Sequence, residues 1–168
     1  EKKIINALST ISSPVGRLEE VGELKNGSKI YIDYAHTPDA LKKVLISKTN
    51  DKIKPNLVFG CGGDRDKSKR IYMGIIANQY AKKVYITDDN PRNEDPKKIR
   101  KSILSKCLRA KNIGDRKMAI RTAIKNLSRN EILIIAGKGH ENTQIYKNKT
   151  KIFDDKKIVK NLIKEMQR

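Results

Sequence analysis

The 168-residue sequence predicts an α/β fold, a mostly parallel sheet flanked by helices. Three observations point to it. Short, β-branched apolar runs alternate with stripes of helical spacing, the pattern of a sheet covered on both faces. Several of the stripes are preceded by residues that start helices. The apolar runs stop abruptly at polar loops, as strands do at the binding edge of an open α/β sheet.

The strands predicted for the sheet interior are "KIYID" (29–33), "NLVFG" (56–60), "KVYIT" (83–87) and "EILIIA" (131–136), each short and apolar as buried parallel strands are. Before them, "RLEEVGEL" (17–24) and the turn residues Asn26-Gly27 predict an added edge strand. Thr37-Pro38, Asp95-Pro96 and Asp115 stand where helix N-caps or first-turn residues belong. The stripes Leu41/Val44/Leu45, Ile99/Ile103/Leu104 and Ala119/Ile120/Ala123/Ile124/Leu127 follow them and are expected to cover the sheet. Near the C-terminus, "QIYKNKTKIF" (144–153) predicts a small antiparallel hairpin. Asp154 is expected to cap a closing helix carrying Ile158, Val159, Leu162 and Ile163. The architecture expected is Rossmann-like. Residues 1–11, "EKKIINALSTI", read as the last turns of a helix belonging to something larger.

The length suits one domain with a core of its own. Neither a run of about 18 apolar residues nor a signal peptide is visible, so a soluble protein is expected. Cys61 and Cys107 fit neither a disulfide framework nor a zinc site, and a reducing cytoplasm is the default. The 38 Lys and Arg against 19 Asp and Glu give a net charge of +19, an excess that suits a polyanion binder. Yet the lysines are scattered, aromatic residues make up only 5%, and no recognised nucleic-acid motif is present, which favours a solvated lysine-rich surface.

The four strand ends run into "DYAH" (33–36), "CGGDRDKSKR" (61–70), "TDDNPR" (87–92) and "GKGHE" (137–141). A parallel sheet brings all four to one edge, so Asp33, Tyr34 and His36 are expected to form one wall of a polar site. Gly137-Lys138 resembles the end of a phosphate-binding loop, but the earlier glycine and the following Ser/Thr are missing. Gly60, Gly62 and Gly63 match no dinucleotide fingerprint and serve to turn the backbone. His36 and His140 have structural readings beside functional ones. Arg65 and Arg92, if aimed at one crevice, make a carboxylate or phosphate site.

In order and spacing, "GRLE", "DYAHTPDAL", "VFGCGGDRDKSKR", "TDDNPRNEDP" and "IIAGKGHE" resemble the C-terminal domain of the Mur ligases, in particular the branch that adds 2,6-diaminopimelate. The resemblance runs from Val15 onward. It implies residues 15–168 as that domain and residues 1–14 as the end of a preceding ATP-binding central domain or a linker. The implied chemistry is ATP-dependent amide formation in cytoplasmic peptidoglycan synthesis. The D-glutamate γ-carboxylate of UDP-MurNAc-L-Ala-D-Glu is phosphorylated and the amine of meso-diaminopimelate attacks the acyl phosphate. ATP and Mg2+ are implied, held mainly by the central domain, with no metal ligand in this one and the isolated domain inactive. The resemblance assigns diaminopimelate to Arg65, Asp89, Asn90, Pro91, Arg92, Gly137 and Glu141. It assigns the nucleotide to Arg17, Asp33 and His36, with Asp33 and His36 as catalytic candidates near the ATP phosphates. A monomer, no specific nucleic acid and no membrane span are expected. Ser68 and Ile71 depart from the family pattern, which often has glycine and proline there. The alternatives are a basic α/β module that binds nucleic acid or another polyanion and, more weakly, a stand-alone amino-acid-binding domain.

Overall fold

The computed structural model describes residues 14–50 and 53–167. The helical end expected over residues 1–11 lies outside them. Along the chain come β1 (Glu19–Glu23), β2 (Lys29–Asp33), α1 (Pro38–Ser47), β3 (Asn56–Phe59), α2 (Lys69–Tyr80), β4 (Val84–Ile86) and α3 (Pro96–Leu104). Then follow β5 (Lys111–Asn112), α4 (Arg116–Lys125), β6 (Ile132–Ala136), β7 (Thr143–Tyr146), β8 (Lys149–Ile152) and α5 (Asp155–Gln167).

Six strands form one sheet in the order β1-β2-β6-β3-β4-β5. Every neighbouring pair is parallel except β1 with β2, which is the edge hairpin the sequence predicts. Side chains alternate between two cores, as the period of two in a strand requires. Leu57, Phe59, Ile86 and Ile134 face α1 to α3, meeting Leu41, Leu45, Met73, Ala77, Ile99 and Ile103. Val58, Tyr85, Leu133 and Ile135 face the other way, onto Ile120 and Ile124 of α4 and Val159 and Leu162 of α5.

The helix starts match the sequence chemistry. Thr37, Asp95 and Asp115 cap α1, α3 and α4 through their side chains, accepting from the N–H groups of Ala40, Lys97 and Met118. Asp154 accepts from Lys157 N–H at the start of α5. Two elements were not expected. α2 begins after Ser68, which makes no side-chain cap of its own; Asp66, two residues earlier, accepts from the Ser68 N–H and hydroxyl at 2.8 and 2.6 Å. β5 is two exposed residues with no apolar content to betray it.

Register decides where the site lies. Asp33 pairs with Ala136, Val58 with Ile135 and Phe59 with Ile86, so four parallel strands end at one level. Their following loops therefore share one edge, with the loop after β6 between those after β2 and β3.

Two ion pairs fix that edge from below. Arg116 and Asp155 are fully buried: Arg116 Nε and Nη2 donate to the two carboxylate oxygens at 2.9 and 2.7 Å, and Nη2 also reaches the Ala136 carbonyl at 3.1 Å. The pair joins α4, α5 and the end of β6. Arg70 grips Glu94 bidentately at 3.0 and 2.8 Å, and Glu94 accepts from Asp64 N–H at 2.7 Å. That clasp ties α2 and the loop after β3 to the loop after β4.

A buried charge that loses its partner is costly. Asp155→Ala should destabilise the protein by about 3–5 kcal/mol, whereas Arg116→Met combined with Asp155→Leu should recover most of that loss; denaturant titration of the three proteins measures both. The Arg70 guanidinium holds the Glu94 carboxyl down from 4.5 to about 2. A depressed carboxylate contributes stability that is complete above its unfolded value and lost as pH falls through the folded one. Melting temperature followed from pH 5 to about pH 2 should therefore fall less steeply in Glu94→Gln than in the native protein.

Candidate functional site

The converging loops enclose an open cleft of about 470 Å³. Tyr34 and His36 line it from the loop after β2, and Arg65 from the loop after β3. Asp89, Asn90 and Arg92 come from the loop after β4, and Gly137 and Glu141 from that after β6. Eight residues singled out in the sequence thus meet in one place. Thr37, Gly62, Asp66 and Lys69 also line it and were not anticipated.

At its centre stands Asn90, which is 4% exposed. Its Oδ1 accepts from Lys138 Nζ and from Ile145 N–H, both at 3.1 Å, and its Nδ2 donates to Glu141 Oε2 at 2.9 Å. Lys138 Nζ, fully buried, also donates to that oxygen at 3.3 Å. Two donors on one side decide which way the amide faces. Glu141 Oε1 is left without a protein hydrogen bond among the described residues, on a half-buried side chain at the cleft. The lysine dismissed in the sequence as a phosphate-loop residue is the buried counter-ion of this group.

Arg92 has φ of +51°, unusual for a side chain of its size. Its Nη1 donates to the Gly63 carbonyl at 2.8 Å, and Gly63 N–H donates to the Asn90 carbonyl at 2.9 Å. The chains approach so closely that a Cβ on Gly63 would lie 1.9 Å from the Pro91 oxygen. Pro91 itself is buried and works through this backbone contact rather than at the cleft surface. Gly137 adopts φ of +110°, and a Cβ there would stand 2.8 Å from Asp89 Oδ2. Arg65 is exposed and, among the described residues, its side chain bonds only to its neighbour's carbonyl, Asp64 O at 3.3 Å. Its guanidinium stays available.

Asp33 is placed differently from the wall residue expected. Its two oxygens accept from Leu18 N–H and Ala35 N–H, both at 2.7 Å, and it lies behind the cleft. The carboxylate ties the segment before β1 to the end of β2. His36 is exposed, and because a carbonyl can only accept, its Nδ1 donates to Tyr34 O at 2.9 Å. Arg17 lies outside the cleft lining, its guanidinium 5.3 Å from the centre of the Tyr34 ring, which also packs on His36 and His140. Arg17, His36 and Lys69, whose Nζ donates to His36 O at 3.0 Å, form a cationic and aromatic rim. Such a rim fits a phosphate-bearing ligand. Among the described residues no three His, Cys, Asp or Glu side chains converge as metal ligands. Both cysteines are buried, and burial pushes the Cys61 thiol up to about 12. Among those residues, too, no helix is long and apolar enough to cross a membrane.

The β7–β8 hairpin completes the site from outside the sheet. Gln144 Nε2 donates to the carbonyls of Asp88 and Asp89 at 3.2 and 2.8 Å, and Tyr146 Oη donates to Asp88 Oδ2 at 3.0 Å. Burial raises the Asp88 carboxyl above its usual range even though Arg100 pairs with it. Arg100 Nε also holds Asn112 Oδ1 of β5 at 2.8 Å.

Comparison with known proteins places the chain in a family. Residues 16–139 match the model of the family described as Mur ligase, glutamate ligase domain. The chain is 49% identical over 166 residues to the UDP-N-acetylmuramoyl-L-alanyl-D-glutamate–2,6-diaminopimelate ligase of Rickettsia felis, covering 96% of this chain and 31% of that protein. It is 46% identical to the ligase of the same name from Agrobacterium fabrum, covering 97% and 34%. A solved structure of a ligase so named superposes with a TM-score of 0.81 at 35% identity, over 95% of this chain and 33% of the other. A bifunctional folylpolyglutamate/dihydrofolate synthase from Yersinia pestis shares the fold, at a TM-score of 0.58 and 17% identity over 82% of this chain and 31% of that one. The chain spans about a third of the length of the curated relatives it matches. Because the family model matches most of the chain and relatives of 46–49% identity cover nearly all of it, this chain belongs to the Mur ligase family through its glutamate ligase domain.

Proposed function

We propose that this chain is the amino-acid-binding C-terminal domain, residues 15–168, of a cytoplasmic ATP-dependent ligase that adds meso-diaminopimelate to UDP-MurNAc-L-Ala-D-Glu. Residues 1–14 would then be the end of the preceding domain or a linker. The carrying observation is the set of charges around one cleft: a carboxylate oxygen of Glu141 left open beside Asn90, with the Arg92 and Arg65 guanidiniums on the facing loops. An amino acid with a second ammonium and carboxylate at its far end fits that set. Glu141 Oε1 accepts from the ammonium, while a guanidinium grips the carboxylate with its planar fork.

In this reading ATP, bound mainly by other parts of the enzyme with Mg2+, supplies the phosphoryl group that activates the D-glutamate γ-carboxylate. Arg17, His36 and Lys69 face the phosphates when the domain closes, and Asp33 acts through the backbone it holds rather than as a proton carrier. The cationic rim stabilises the anionic acyl phosphate while the amine attacks. A polyanion-binding module remains the second reading, favoured only by the charge of +19.

Lysine lacks the distal carboxylate and would leave a positioned cation unpaired, a loss of roughly 2–5 kcal/mol. In the full-length enzyme, Arg92→Ala should raise the diaminopimelate KM and shrink the diaminopimelate/lysine ratio of kcat/KM by about tenfold or more, with ATP affinity nearly unchanged. A ratio equal to that of the native enzyme would remove Arg92 from substrate reading.

A further inference from the structure

Arg92 does not hold its own position. Its backbone lies in the left-handed region at φ of +51°, which a long side chain adopts only when its surroundings insist. Its neighbours in the loop after β4 offer it no ladder. The constraint comes from β7: Arg92 N–H donates to the Ile145 carbonyl at 3.0 Å, and Lys147 N–H donates to the Arg92 carbonyl at 2.6 Å. Tyr146, between those two residues, is bridged to Arg92 as a parallel partner.

The hairpin cannot supply this rigidity alone. β7 and β8 form an isolated two-stranded sheet, and β8 is exposed along its whole length. Such a hairpin is marginal in water without something to pack on. What it docks on is polar: Gln144 on two carbonyls of the β4 loop, Ile145 N–H on Asn90, and Tyr146 Oη on Asp88. Asp88 is itself anchored by Arg100 of α3. Burial and the Asp88 charge raise the phenol further above its ordinary value, so it remains the proton donor in this contact.

Resting on the ligase reading above, we propose that Tyr146 is a positioning residue for amino-acid selection: its hydroxyl, seated on Asp88, locks the β7–β8 hairpin against the loop after β4 and thereby aims Arg92 into the cleft. Tyr146 does not itself line the cleft. Its effect passes through the two backbone hydrogen bonds on either side of Arg92.

The test is Tyr146→Phe in the full-length enzyme, which keeps the ring and removes only the hydroxyl. The diaminopimelate KM should rise roughly five- to tenfold, the scale of one lost hydrogen bond, with kcat and the ATP KM nearly unchanged. The diaminopimelate/lysine ratio of kcat/KM should fall with it. Amide hydrogen exchange should quicken at Arg92 and Lys147 and stay slow at Ile134 and Ile135 in the sheet. Gln144→Ala loosens the same grip from two residues earlier in β7 and gives the same reading should the phenol prove necessary for folding. A native diaminopimelate KM together with native exchange at Arg92 overturns the positioning role. A native enzyme that does not use diaminopimelate at all overturns the ligase reading instead, and exchange at Arg92 then still reports on the clamp.

Discussion

The side-chain amide of Asn90 is the constraint on which the site depends. It sits where β4 has just ended, and its polar atoms are taken up by Lys138 after β6, Ile145 in β7 and Glu141 at the end of the β6 loop. A buried amide with donors crowding its oxygen cannot turn over without leaving polar groups unpaired, each at about 1–3 kcal/mol. The loop after β4 and the stretch 138–145, 48 to 55 residues further along the chain, therefore share one register. Lys138 is bound to the same arrangement, since a buried ammonium needs acceptors and its two are Asn90 and Glu141.

Charge is sorted by depth around this centre. Arg70, Arg100, Arg116 and Lys138 are buried, and each meets a carboxylate: Glu94, Asp88, Asp155 and Glu141 respectively. These cations are scaffold. Arg65 and Arg17 are exposed and, among the described residues, meet a backbone carbonyl and an aromatic face respectively, which leaves donors for a ligand. Asp33 shows the same division among acids, because both its oxygens are committed to backbone N–H groups.

Much of this was legible in the sequence, for identifiable reasons. The inner strands announce themselves because burial on both faces demands continuous β-branched runs, and Thr37, Asp95 and Asp115 mark helix starts because their side chains make the caps. The cleft was legible because parallel strands deliver their ends to one edge. α2 was not, since Ser68 makes no cap of its own, the nearby acceptor Asp66 sits in a loop of mixed charges, and Gly74 interrupts the apolar stripe where the Ile103 carbonyl comes close. The buried cations were hidden for a different reason. In a chain with 38 basic residues, nothing local separates Arg116 or Lys138 from a solvated neighbour; only the positions of Asp155 and Asn90 across the fold do. Tyr146 read as an ordinary hairpin residue because its partner, Asp88, lies far away in sequence.

Glu141 and the β7–β8 hairpin that holds Arg92 lie outside the six-stranded sheet. A synthase named for folate substrates shares the fold at 17% identity, so the sheet and its helices set no amino acid preference by themselves. Under the ligase reading proposed above, selection must then come from side chains at that edge. Arg92 follows β4 of the sheet, but its backbone is held by Ile145 and Lys147 of the hairpin. A residue at the sheet edge thus takes its orientation from a hairpin outside the sheet, so a change in that hairpin can move the Arg92 guanidinium while every strand of the sheet stays in place.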